Sequence, residues 1–220
     1  MAKLTCELLI EDLTPEERER MERVESVLPT LKERAKQTDK LGEFNPDNVK
    51  LFSEAGLLGL VVPKEYGGLG GGIRDWAAAC FSIGTICPST GLAYFFHNTS
   101  ASRGTLALAG LEAGLYTDEE APKVKEFAEK VLHFMGTEGK WLANYASESV
   151  KSEHSAITIS TRATKVEGGW ELNGEKSFGC ATGIADKYLV TAGIEGIEGG
   201  KALATFFVDQ KAPGTRGRMV

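Results

Sequence analysis

The chain has 220 residues, 42% of them hydrophobic and 25% charged, which suits a globular protein with one large core or two small ones. Its net charge of −6 would repel phosphate and argues against a nucleic-acid partner. No apolar run approaches the roughly 20 residues that a membrane helix needs, and Met1–Thr5 lacks the apolar core of a signal peptide, so a cytoplasmic location is expected.

Thr14-Pro15-Glu16-Glu17 reads as an N-cap, a proline at the first helical position and a capping-box glutamate. Met21, Val24, Leu28, Leu31 and Ala35 then recur at helical spacing, and Pro29 should kink or split that helix. Asn45-Pro46-Asp47 is a second start signal, with Gly56 as its stop. Trp76, Cys80, Ile83 and Cys87 share a helical face that Pro88 ends. Ser89 opens a further helix through Leu92, Phe95, Thr99 and Leu106, which carries little charge and reads as buried on most sides. Pro122 to Met135 makes one more, with Val124, Phe127, Val131 and Phe134 as its stripe.

Near Gly136 the period changes. Residues 156–166 are rich in β-branched side chains, Glu167-Gly168-Gly169 is a turn, Trp170-Glu171-Leu172 is a short strand after it, and Asn173-Gly174 is a strong hairpin signal. Tyr188–Ile194 and Ala202–Val208 are two more strands. The expected fold is α+β, with an all-helical domain over 1–136 followed by a small antiparallel β-barrel or sandwich over 137–220.

Single motifs carry little chemistry. Gly67-Gly68-Leu69-Gly70-Gly71-Gly72 invites a phosphate reading, but Pro63 disfavours the strand that a dinucleotide fold needs before its glycines. A plain glycine loop is the better expectation. His97, His133 and His154 have no partner at ligand spacing, and His97 reads as a satisfied core histidine. Cys6, Cys80, Cys87 and Cys180 lack metal-ligand spacing, so reduced thiols and no metal are expected.

The assembled pattern says more. Gly56-Leu57-Leu58-Gly59, Pro63-Lys64-Glu65-Tyr66-Gly67-Gly68-Leu69-Gly70, Pro88-Ser89-Thr90-Gly91 with His97-Asn98, Leu172-Asn173-Gly174-Glu175-Lys176, Ala185-Asp186-Lys187-Tyr188 and Phe206-Phe207-Val208-Asp209 occur in order. Together they closely resemble the acyl-CoA dehydrogenase family from about residue 13 onward. The resemblance implies an FAD-dependent oxidoreductase of fatty acid metabolism that dehydrogenates acyl-CoA thioesters between the α- and β-carbons. It also implies an electron-transfer partner and a homo-oligomer.

By the same resemblance, the family's T-E-P-x-x-G-S-D segment falls on Ser147-Glu148-Ser149-Val150-Lys151-Ser152-Glu153-His154, and its W-I-T segment on Phe178-Gly179-Cys180. Asn144, Ala146, Ser147, Phe178 and Cys180 are thereby expected to face the flavin, Phe178 as a stacking plane. Core filling at a strand end is the competing reading of Phe178 and Cys180. Phe95, Phe96, Ser152 and Glu153 are the expected substrate-binding residues. The family's catalytic glutamate belongs to a third, helical domain, which is expected to be absent from these 220 residues. No catalytic residue is therefore assigned, and the chain alone is expected to be inactive. Two rival functions remain: a flavin-dependent monooxygenase of the same fold, favoured by the altered segments, and a non-catalytic module that binds acyl-CoA or a partner.

Overall fold

Thr14 and Glu17 close the first helix as their spacing predicts. Thr14 Oγ1 accepts from the Glu17 amide at 3.2 Å, and Glu17 Oε2 accepts from the Thr14 amide at 2.9 Å. The computed structural model describes residues 3–148, 159–197 and 202–217. It falls into a helical unit ending at Trp141 and a sheet unit beginning at Leu142.

The helical unit holds α1 (Pro15–Leu41), α2 (Asp47–Glu54), α3 (Ile73–Ile86), α4 (Pro88–Glu112) and α5 (Ala121–Gly136). Pro29 does not split α1, which is one helix of 27 residues. Val27, Leu28 and Leu31 are all buried around it, so packing of that stripe offsets the hydrogen bond the proline removes. The core is aromatic. Phe52 stacks on Tyr94 at 4.9 Å, and His97 lies 4.7 Å from Trp141 between ring centroids. Ser53 Oγ donates to the Gly139 carbonyl at 2.8 Å, which holds the stretch after α5 against α2.

α4, expected to be buried on most sides, keeps one open side. Leu92, Phe95 and Leu106 are exposed, while Tyr94, His97, Ala101 and Gly104 are buried. Small size decides this: a Cβ on Gly104 would lie 2.6 Å from Leu132 Cγ, so α5 approaches along the glycine and alanine face.

The glycine loop is no phosphate cradle. The amides of residues 67 to 71 donate to the carbonyls of Lys64, Pro63, Gly59, Val62 and Leu60 in turn, and the Gly72 amide donates to Asp75 Oδ2. A Cβ on Gly68 would sit 2.1 Å from the Val62 carbonyl oxygen. These glycines serve close backbone packing, and their donors are already used.

The sheet unit contains β1 (Leu142–Tyr145), β2 (Arg162–Val166), β3 (Gly169–Asn173), β4 (Lys187–Ile194) and β5 (Leu203–Asp209). β5 pairs antiparallel with β4 along nearly its whole length and occupies one edge. The other edge of β4 takes β1 at Lys187–Val190 and β2 at Gly193–Ile194, both parallel. Among the described residues this is an open mixed sheet, which corrects the expected antiparallel barrel or sandwich. Sequence alternation marks strands and leaves their direction open. The hairpin joining β2 to β3 turns at Glu167-Gly168, inside the expected Glu167-Gly168-Gly169 turn, whereas Asn173-Gly174 joins no hairpin among the described residues. Gly174 is there for proximity, since a Cβ on it would lie 2.4 Å from Thr161 Oγ1.

Candidate functional site

β1 and β2 lie in line on one edge of β4, so the chain leaves that edge after Tyr145 and rejoins it at Arg162. Glu148 ties the two sides together. Its Oε2 accepts from the Ser160 amide and hydroxyl at 2.6 and 2.5 Å. Its Oε1 accepts from the Thr161 amide and hydroxyl at 3.0 and 2.6 Å, and from Lys176 Nζ at 2.7 Å. The side chains of Glu148 and Lys176 are only 3% and 7% exposed. Burial pushes the Glu148 carboxyl up in pKa, but Lys176, Ser160 and Thr161 outweigh it and hold the group well below the usual carboxylate range. A carboxylate held so firmly by five donors is a structural anion and not a proton acceptor near neutral pH.

Lys176 also donates to the Ala146 carbonyl at 3.3 Å, and the Ser177 amide donates to the Ser147 carbonyl at 2.9 Å. The segment 146–148 therefore runs beside 176–177. The two stretches expected from the family resemblance to face a flavin are brought together within the sheet unit. Ser147 is exposed, Ala146 and Asn144 are half-buried.

The turn after Ser177 has an uncommon backbone. Phe178 and Ala181 both have left-handed φ, +57° and +63°. Phe178 is 87% exposed, the most exposed large apolar side chain among the described residues. Tyr145 supports the turn from beneath. Thr182 Oγ1 donates to the Gly179 carbonyl at 2.6 Å, so the Tyr145 hydroxyl, 2.7 Å from that oxygen, is the donor to Thr182. A Cβ on Gly179 would lie 2.0 Å from the Tyr145 ring, so only glycine lets the chain cross there. Among the described residues the Phe178 ring fills no core. Cys180 is half-buried, and burial raises its thiol pKa, so it stays protonated.

In the helical unit, Phe95 stacks on Trp76 at 4.9 Å and meets Phe96 edge-on at 5.3 Å. His97 Nε2 lies 2.9 Å from the Leu58 carbonyl, which can only accept, so that nitrogen carries the proton and His97 is a core residue. Burial pushes the Cys80 thiol up to about 12. Ser152 and Glu153 lie outside the described residues. No group of three or more metal-ligating side chains occurs among the described residues. Sequence reasoning missed Tyr145, Thr161 and the pairing role of Lys176. Lys176 stood inside a quoted motif, whereas Tyr145 gave no local signal because β1 is only four residues long.

A domain model described as "Acyl-CoA dehydrogenase, N-terminal domain" matches residues 14–113. Cyclohex-1-ene-1-carbonyl-CoA dehydrogenase of Syntrophus aciditrophicus (strain SB) is 29% identical over 204 residues, covering 92% of this chain and 46% of that protein. The amino sugar nitrososynthase DnmZ of Streptomyces peucetius is 30% identical over 207 residues, covering 94% of this chain and 47% of its own. The solved structure of KijD3 in complex with FMN and dTDP-3-amino-2,3,6-trideoxy-4-keto-3-methyl-D-glucose has a TM-score of 0.74 at 26% identity, covering 97% of this chain and 48% of that one. The chain spans about half the length of the proteins it matches.

Proposed function

The chain belongs to the acyl-CoA dehydrogenase family, and from that premise we propose that its sheet unit supplies one wall of a flavin site in an oxidoreductase acting on acyl-CoA thioesters. The observation that carries this reading is Phe178, an exposed ring on a left-handed backbone at the end of a fully hydrogen-bonded frame. An apolar plane displayed at such cost fits a planar aromatic ligand. Ser147 and Phe178 would hold the flavin, FAD by analogy with the dehydrogenases, with Cys180 as a neutral neighbour. A bound flavin supplies the two-electron acceptor that α,β-dehydrogenation needs. Phe95 and Phe96 are proposed to present apolar surface to an acyl chain. Glu148 is not the base, because its oxygens are committed to Lys176, Ser160 and Thr161. An electron-transfer partner and a homo-oligomer belong to the same reading.

A second reading, oxygenation by reduced flavin and oxygen, is favoured by the likeness to an amino sugar nitrososynthase over 94% of this chain. The test of the flavin wall is titration of the purified chain with FAD and with FMN, followed by flavin fluorescence. Wild type, which offers one wall of the site, should bind only weakly, and Phe178→Ala should bind about tenfold more weakly still. Equal affinities would remove Phe178 from the site. Dye reduction with octanoyl-CoA against oxygen uptake with reduced flavin, measured on a protein that joins this chain to the family's third domain, separates the two reactions.

A further inference from the structure

Glu148 and Lys176 are not needed to close the sheet: the ladders of β1, β2 and β5 on β4 are complete without them. Yet among the described residues this pair is the least exposed ion pair of the sheet unit, and each partner sits one or two residues from a proposed flavin-facing residue. Glu148 follows Ser147, and Lys176 precedes Phe178 by two. The pair links three stretches of chain: 146–148, 160–161 and 176–177.

We propose that Glu148 and Lys176 are positioning residues, a buried clamp that fixes Ser147 and Phe178 in the arrangement the flavin meets. The inference rests on the flavin-wall reading and adds to it the groups that set its geometry. The physical reason lies in the hydrogen bonds. With Lys176 in place, the Ala146 carbonyl and Glu148 Oε1 share one ammonium group, which draws the first segment to within reach of the Ser177 amide. The Phe178 backbone then starts from a fixed point and must turn through left-handed φ to cross Tyr145 at Gly179. Without the ammonium the carboxylate is left buried with its strongest partner gone, and the segment must open to hydrate it. Glu148 is an anion near neutrality because Lys176, Ser160 and Thr161 hold its carboxyl well below its usual range.

The experiment uses the full 220-residue chain with three variants: Lys176→Met, Lys176→Arg, and the double Glu148→Gln/Lys176→Met, which removes both charges and keeps the fold testable if the single change unfolds it. Two readouts are taken on each. The first is hydrogen exchange at the Ser177 and Thr161 amides, with amides of α4 as internal control. The second is FAD and FMN affinity by fluorescence. Loss of the clamp should speed exchange at Ser177 about tenfold while α4 is unchanged, and weaken flavin binding about tenfold. Lys176→Arg should restore most of both. Unchanged exchange in Lys176→Met and in the double variant would overturn the clamp. Faster exchange with unaltered flavin affinity would reduce the pair to a structural contact and overturn its positioning role. Should wild type bind neither FAD nor FMN, the flavin-wall reading fails on its own, and exchange at Ser177 alone decides whether the pair orders that segment.

Discussion

The two units treat their polar and aromatic groups differently. In the helical unit the large rings of Phe52, Tyr94 and Trp141 are turned inward. Its notable hydrogen bonds close the fold on itself: Tyr94 to the Leu57 carbonyl, His97 to that of Leu58, and the glycine-loop amides to their own neighbours. In the sheet unit the buried polar groups form a frame around Glu148, and the frame ends in an aromatic ring held out in solvent. Satisfied polar groups with inward rings describe a core. Satisfied polar groups that hold a ring outward against backbone preference support the proposed binding surface. The contrast carries the functional reading further than any single motif.

The strongest way to break the contrast is at Phe52, which is fully buried against Tyr94 and Trp141. Phe52→Ala should destabilise the helical unit by roughly 3–5 kcal/mol, through lost burial and the cavity left behind. Urea unfolding followed by circular dichroism of the helices measures it. If the helical unit is a core and the sheet unit carries the site, amide exchange on β4 should change far less than exchange on α4.

A smaller effect is expected at Glu148, and it depends on pH. The folded-state pKa lies below the ordinary value of 4.5. The stabilisation is therefore in place above pH 4.5 and is lost as the pH falls from there toward the folded value. Glu148→Gln should cost about 2–3 kcal/mol at pH 7, and the gap from wild type should narrow steadily below pH 4.5. Urea midpoints of both proteins between pH 7 and pH 3 test this. A gap that widens on acidification would mean that the carboxyl is not held as an anion.

Much of the helical unit was legible because its signals are local. The Thr14–Glu17 capping box, the Asn45-Pro46-Asp47 start and the Pro122 start all act within one helical turn, and each opens a helix where expected. The failures there were tertiary. Nothing within α4 says that its glycine and alanine side would be preferred for burial over Leu92 and Leu106; Leu132 on another helix decides it. In the sheet unit the strands were visible but their directions were not, since β1 and β2 become parallel partners of β4 only through pairing across more than 30 residues. Asn173-Gly174 has the composition of a turn, but the closeness of Thr161 is what requires its glycine. For the site, Ser147 and Phe178 came from the family resemblance. Their support, Tyr145, Gly179 and the Lys176–Glu148 pair, was not visible, because hydrogen bonds over about 30 residues leave no periodic trace.

The smallest expected effect is the most discriminating, because its sign is opposite to that of most substitutions. Phe178 combines an exposed ring with a φ of +57°. A non-glycine residue there carries a steric cost of about 1–2 kcal/mol that glycine does not. The ring offers little in return, being 87% exposed, so its removal forfeits almost no buried apolar area. Phe178→Gly should therefore stabilise the sheet unit by roughly 1 kcal/mol, even after allowing for the greater freedom of glycine in the unfolded chain. Phe178→Ala provides the control, since it deletes the ring and keeps a Cβ on the same left-handed backbone. Its stability should stay within about 0.5 kcal/mol of wild type. Both variants should lose flavin affinity alike if the ring is the stacking plane. Urea unfolding and flavin titration on the same three proteins give the answer. A glycine variant less stable than the alanine variant would show that the left-handed turn is not strained. A glycine variant that is more stable yet binds flavin as well as wild type would show that the strain serves something other than the flavin wall.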